Sequence, residues 1–370
     1  MTAAALDELA PLDELEPLDE LLGRHGLAGA AEQPFPNDGW SGATMTRLLD
    51  ASGRAYVLKR DSLDRDWIAQ ATADRPLLRE AWFAAHGPVL PRGIRNPALG
   101  AGWDAAAGKV GILMPDLSSV LFDWNLPLGT EQLDHVLDAL AVLHGHAWRE
   151  RRDVVRPHAT PWTERLTLIC RPSLERPGPA RTAVADRLLP GWDAWDRLAT
   201  PAARGIVAEL ANHPEPLIRA LSAEPWTLLH GDLKLANVGI ATDGVVEMVD
   251  WQMLMIAPVA IELGWFLVAN VASLPMAPDR VLERYRLRLD ARTWTAADER
   301  FDGQRDVSRV SPVMRWEAQE AAAILVGLLL RGWRKGADAE AGIVHASGVS
   351  AADDLAWWCE RAVEAAELAL

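Results

Sequence analysis

At 370 residues, with 49% apolar and 24% charged side chains, the chain has ordinary globular composition and length enough for two lobes with substantial cores. Its formal net charge of −15 argues against nucleic acid and anionic membrane surfaces as partners. Two distant cysteines, Cys170 and Cys359, carry neither metal nor disulfide spacing, and the longest apolar stretch, Ala321 to Leu330, is too short to span a bilayer. The opening residues Met1 to Asp7 lack the basic start and apolar run of a signal peptide, so a cytoplasmic location is expected.

In chain order, the first feature is a triple Leu-Asp-Glu-Leu repeat between Leu6 and Leu21, with Pro11 and Pro17 before the second and third copies. Its period is too short for a helical solenoid. It reads as an acidic amphipathic arm over residues 1–30, packed as a helix, partly disordered or used for docking, and it holds seven acidic residues before the first basic one, Arg24. From Asn37 to Thr44 runs a turn containing Gly39 and Gly42, followed by an expected strand, Met45 to Leu49. A second strand, Arg54 to Arg60, ends in Val57-Leu58-Lys59. Glycine turns let backbone N–H groups approach phosphates closely, although turns between strands use glycine in any case.

Arg75 to His86 is expected to be a helix with Leu77, Leu78, Ala81, Trp82 and Ala85 on its apolar face, Pro76 in its first turn and Glu80 along it. Val110 to Met114 is a buried-type strand leading into Pro115-Asp116-Leu117. Beyond it the pattern turns helical, with a long amphipathic segment from Glu131 to Trp148. His144 and His146, two residues apart, fall on different helix faces, which suits a structural histidine and not a zinc pair. Residues 160–223 form a further helical stretch rich in Pro, Arg and Trp.

The stretch from Thr227 to Asp250 carries the chemistry. An apolar run ends in His230-Gly231-Asp232, with Lys234 and Asn237 following, and two short strands around Thr242-Asp243-Gly244 read as a hairpin that delivers Asp250. Phosphoryl transfer needs one carboxylate to orient an attacking hydroxyl, and a carboxylate and an amide oxygen to hold the metal that bridges the nucleotide phosphates.

These residues resemble the catalytic centre of the aminoglycoside phosphotransferase and choline kinase-like superfamily of small-molecule kinases. The resemblance implies an α+β, protein-kinase-like bilobal fold, with a small β-rich N-lobe over residues 31–117 and a larger, mainly helical C-lobe over residues 118–370. It implies Asp232 as catalytic base, Asn237 and Asp250 as Mg2+ ligands, and Lys59 on the α and β phosphates, held by Glu80. Gly39 and Gly42 would approach the phosphates, and the backbone from Met114 to Asp116 would meet the adenine. His230 and Glu262 take supporting places, the latter bracing the catalytic loop. Lys234 stands where the family commonly has His or Asn, and reads either as a point charge on the transferring phosphate or as a partner for Asp232. Ala257 replaces the family's usual Gly or Asp.

The expected reaction moves the γ-phosphoryl group of ATP or GTP, with Mg2+, to a hydroxyl of a small molecule such as an aminoglycoside-like antibiotic, an amino sugar or a sugar. Choline or another amino alcohol is the alternative acceptor. The short segment from Trp251 to Ala257 leaves no room for a peptide-binding loop. The acidic charge and the 17 tryptophans tilt the expectation toward an amino-bearing or sugar-like acceptor, with Trp316 and Glu317 as candidate contacts. A non-catalytic nucleotide-binding protein would be expected to lack one of Lys59, Asp232, Asn237 or Asp250, and a metal-dependent hydrolase would need His/Asp clusters that the sequence does not show.

Overall fold

Lys59 owes its position to a strand buried on both faces. In the computed structural model, which describes residues 15–36, 39–72, 74, 78–146, 152–298 and 316–370, strand Ala55–Asp61 is central in a six-stranded sheet. The order across the sheet is Glu16–Pro17, Gly100–Asp104, Lys109–Pro115, Ala55–Asp61, Thr44–Leu49 and Gln33–Pro34. Lys59 pairs with Met45 on one side and Ile112 on the other, both in antiparallel register. Alternation along a strand then sorts its side chains. Tyr56 and Leu58 face a small core with Leu18, Leu21, Leu27, Leu48 and Leu113, while Val57 joins the main core with Trp82 and Phe83.

That small core explains the third copy of the acidic repeat. Leu18–Arg24 is a helix whose Leu18 and Leu21 are buried, and Glu16–Pro17 adds a parallel edge strand beside Gly102 and Trp103. Leu18 sits so close to the sheet that a Cβ at Gly102 would lie 2.7 Å from its Cα. The arm is thus part of the sheet lobe from Leu15 onward; the first two copies of the repeat lie outside the described residues.

The expected helix over 75–86 runs Arg79–His86, and Arg75, Pro76 and Leu77 lie outside the described residues. The segment expected over Glu131 to Trp148 runs Thr130–Gly145 with His146 as its C-cap, and Trp148 lies outside the described residues. A short helix, Trp67–Ala71, was not expected; Asp66 caps it by accepting from the N–H groups of Ile68 and Ala69.

The C-terminal part is mostly helical. Its long elements include Thr130–Gly145, Pro179–Leu198, Pro201–Asn212, Val259–Asn270, Pro278–Asp298, Trp316–Glu340 and Ala351–Ala369. Trp195, Trp251 and Trp358 are among its largest fully buried side chains, so much of the tryptophan content fills the core. Helices Val259–Asn270 and Trp316–Glu340 meet almost backbone to backbone: a Cβ at Gly264 would lie 2.4 Å from the carbonyl oxygen of Ala323. Trp316–Glu340 breaks at Arg331, which has φ −142° and ψ 18°. Among the described residues no helix is long and apolar enough to cross a membrane.

Candidate active site

The loop after strand Trp226–Leu229 begins His230-Gly231-Asp232, and the chain turns there because residue 231 is glycine. Gly231 has φ +82°, and a Cβ would stand 1.9 Å from the carbonyl oxygen of Met253. Glu262, fully buried, accepts from the backbone N–H groups of both His230 and Gly231, at 2.7 and 2.8 Å. Burial works against its charge, but His144, His230 and the backbone donors outweigh it, so its carboxyl lies below the usual carboxylate range. His230 receives the N–H of Asp232 on Nδ1 at 3.3 Å, which places its own proton on Nε2, 2.9 Å from the carbonyl oxygen of Val249.

Asp232 is half-buried. Its Oδ2 lies 3.1 Å from Lys234 Nζ and 3.2 Å from Asn237 Nδ2, and the same amide donates to the backbone oxygen of Asp232 at 2.9 Å. With its N–H groups spent there, Asn237 has its side-chain oxygen Oδ1 left for other work. Lys234 is more than a third exposed and adjoins Asp232 directly; burial lowers its pKa, yet Asp232 and Asp250 raise it more.

The hairpin of Val238–Ile240 and Val246–Met248 forms around the expected turn and delivers Asp250 in a left-handed conformation, φ 66° and ψ 57°. Such a backbone is sparsely populated by residues other than glycine and clusters at functional sites. Asp250 Oδ1 accepts from Lys59 Nζ at 2.9 Å, and Lys59 also donates to Glu80 Oε2 at 2.5 Å. This bridge ties the sheet, the helix Arg79–His86 and the hairpin together. Burial opposes the charge of Lys59 but the two carboxylates win, so its pKa rises. Asp250 is held well below the usual carboxylate range because Lys59 and Lys234 outweigh burial. Glu80 shares the one ammonium with Asp250, and burial pushes it up to about 7.

An aromatic stack runs alongside. Phe83 lies 4.4 Å from Trp251, and Trp251 lies 4.5 Å from His230. The residue after Asp250 thus touches both the helix that carries Glu80 and the loop that carries Asp232. Gly42 takes φ +103°, and the turn it belongs to leans on the helical lobe through Trp40, 5.9 Å from Trp333; Gly39 adjoins it, while Asn37 and Asp38 lie outside the described residues. Met114 pairs with Val57 in the sheet, and Asp116 donates its N–H to Ala55 and pairs its carboxylate with Arg47.

Trp316 and Glu317 are not brought into this group. Trp316 donates its indole N–H to Asp290 at 3.1 Å and meets Tyr285 edge-on, and Glu317 is exposed. The helix they begin rises about 1.5 Å per residue, so they stand roughly 20 Å from its break at Arg331.

Two contributors were missed from sequence. Asn270 accepts from the N–H of Leu235 at 2.8 Å and donates to Leu233, pinning the loop between Asp232 and Asn237. The available signal was compositional: Glu262 and Asn270 are the two polar side chains in the otherwise apolar run Val259–Asn270. Asp66 is the other, joined to Gln252 by a hydrogen bond that links the Trp67–Ala71 cap to the segment after Asp250. A surface hollow of about 470 Å³ between Pro201–Asn212 and Glu215–Ser222 shares no lining residue with the cleft, so chemistry and not volume identifies the site.

A sheet lobe and a helical lobe that share a Lys-Glu-Asp bridge beside an Asp-Asn loop define a kinase-like phosphotransferase. The sequence profile of the phosphotransferase enzyme family matches residues 32–300, and the chain belongs to that family of small-molecule kinases. Solved structures similar to it include a spectinomycin phosphotransferase in complex with ADP and spectinomycin, at 14% identity over 94% of this chain and 93% of that one, TM-score 0.48. An aminoglycoside phosphotransferase from Alicyclobacillus acidocaldarius shows 14% identity over 93% of both chains, TM-score 0.41. A choline/ethanolamine kinase family protein from Mesorhizobium loti shows 13% identity over 94% of this chain and 93% of that one, TM-score 0.40. No curated protein matches the chain.

Proposed function

We propose that the cleft moves the γ-phosphoryl group of ATP to a hydroxyl of a small molecule. The observation that carries this reading is the pair of contacts that assemble the site: Lys59 with Asp250 across the lobes, and Asn237 with Asp232 within the loop. Asp232 accepts the proton of the attacking hydroxyl as its oxygen bonds to the γ-phosphorus, and the bond from that phosphorus to the bridging oxygen breaks to leave ADP. Lys59, charged and fixed by Glu80, is placed to bind the nucleotide phosphates. Lys234, at the opening of the loop, offers a positive charge to the phosphoryl group in flight.

The donor set suits Mg2+. Among the described residues, the side-chain amide oxygen of Asn237 and one carboxylate oxygen of Asp250 take no hydrogen bond. Two hard oxygen ligands, completed by water and phosphate, are what Mg2+ takes, and among the described residues no cluster of three or more His, Cys, Asp or Glu offers a competing cage. Bound there, the ion would neutralise charge on the phosphates.

The test is nucleotide turnover by the full chain with ATP or GTP and Mg2+ over sugars, amino sugars, aminoglycosides, hydroxy acids and amino alcohols. ADP formation that depends on one acceptor class, with that acceptor gaining phosphate by mass, is the expected result. Nucleotide binding without any acceptor-dependent turnover would favour a regulatory protein instead.

A further inference from the structure

Among the described residues, four buried donors without a hydrogen-bond partner gather around Trp265: Nε of Arg165, Nε of Arg331, and the indole N–H groups of Trp265 and Trp333, with Trp265 one helical turn beyond Glu262, which holds the loop that carries Asp232. They come from three elements that the sequence does not place together: helix Trp162–Thr167, helix Val259–Asn270 and the break in Trp316–Glu340. The Arg165 guanidinium lies 4.6 Å from the Trp265 ring centre; that of Arg331 lies 5.5 Å from Trp265 and 5.8 Å from Trp333. Arg165 is 4% exposed, Trp265 8% and Trp333 6%, while Arg331 is half-buried.

Among the described residues neither guanidinium forms a hydrogen bond or an ion pair. Removing a cation from water without such a partner is costly, and two like charges near each other add to the cost. Burial lowers both arginines, to about 10, and Asp232 is a carboxylate that acts favourably on each. The break at Arg331 is firmly held. Trp333 packs its backbone on Gly191, where a Cβ would meet its carbonyl at 2.5 Å, and Gly336 is equally close to Trp195. The helix therefore presents Arg331 at a fixed place, with its donors uncommitted.

A planar guanidinium presents paired N–H groups that match a carboxylate or phosphate, and it stacks on aromatic rings while doing so. The nucleotide phosphates have their own cation in Lys59, at Asp250. Arg165 and Arg331 flank Trp265, on the helix whose Glu262 holds the loop of Asp232, the carboxylate that meets the acceptor hydroxyl, and Asp232 acts favourably on both. We infer that the acceptor carries an oxyanion, a carboxylate or a phosphate monoester, which seats on Arg165 and Arg331 beside Trp265 and Trp333 while its hydroxyl meets Asp232. The inference rests on the phosphotransferase reading of the cleft. It reverses the expectation that the chain's overall acidity draws an amino-bearing acceptor, since the two side chains assigned to hold the acceptor are both cationic.

The test uses the full chain and four hexose probes: glucose 6-phosphate, gluconate, glucose and glucosamine, with inorganic phosphate as a probe that needs no sugar scaffold. Tryptophan fluorescence and calorimetry read binding, and ADP release with acceptor mass reads turnover. The anionic probes should bind at least about tenfold more tightly than glucose, and Arg331→Gln should weaken them about tenfold to a hundredfold, with ATP affinity unchanged and partial recovery in Arg331→Lys. The better of glucose 6-phosphate and gluconate tells phosphate from carboxylate. Tightest binding of glucosamine, no binding of any anion including phosphate, or anion affinity untouched by Arg331→Gln would overturn the inference. Phosphorylation of neutral or amino acceptors with no anion effect sinks this inference alone. Anion binding lost in Arg331→Gln, without any ATP-dependent product, sinks the phosphotransferase reading and leaves the anion site standing.

Discussion

At the scale of single residues, the loop that carries Asp232 depends on what its neighbours allow. Gly231 is a position where any side chain meets the Met253 carbonyl, on a backbone with positive φ. Gly231→Ala should destabilise the protein by more than about 2 kcal/mol, because the left-handed backbone alone costs 1–2 kcal/mol and the clash adds to it. Urea unfolding of the variant checks this, and near-native stability would mean that the loop relaxes freely. The three oxygen-bearing residues were legible because their spacing is local: one loop and one hairpin present Asp232, Asn237 and Asp250. Arg165 and Arg331 were not legible, since they meet at Trp265 only after distant helices pack, and no local pattern marks a buried arginine that lacks an ion pair among the described residues.

At the scale of elements, two contacts matter most to the site. The first is the pairing of helices Val259–Asn270 and Trp316–Glu340, one carrying Glu262, Trp265 and Asn270 and the other Arg331. They cross at Gly264 and Gly327, each so close to the other's backbone that a Cβ would stand at 3.0 Å or nearer. Gly264→Ala should cost about 1–3 kcal/mol through overpacking, and on the proposed reading it should lower turnover as well, because the shift moves Glu262 under the loop that carries Asp232. A denaturant midpoint equal to that of the parent protein would contradict it. The second contact is the cover that Leu18–Arg24 lays over the outer face of the sheet. Its composition suggested an acidic arm with several possible fates, because leucines every three residues bury as well on a partner as on their own sheet. The glycines that admit it, Gly102 and Gly111, show their purpose only when the opposing backbone is in view.

At the scale of the whole molecule, the charge around Lys59 sets a pH dependence. Burial pushes Asp61 up to about 6, Asp66 to about 7 and Glu80 to about 7. These groups keep protons in the folded state that the unfolded chain releases near pH 4, so stability falls as pH rises from about 4 to 7. Asp250 and Glu262 lie below the usual range, so what they contribute is present above about pH 4 and lost below it. Nucleotide-free protein should therefore be most stable in mild acid and lose on the order of 2 kcal/mol by pH 7.5. Asp66→Asn, which keeps a helix cap, should flatten that decline. A melting temperature that rises steadily from pH 5 to 8 would contradict this distribution of charge.

The most direct test of the central claim follows the phosphoryl group itself. ATP labelled at the γ-phosphate is incubated with Mg2+, the full chain and the acceptor that best stimulates ADP release, beside Asp232→Asn. The label should pass to the acceptor, and the variant, folded and still binding ATP, should be slower by about 10²–10⁴-fold. Label recovered as free inorganic phosphate, or transfer at the parent rate without the Asp232 carboxylate, would contradict the account.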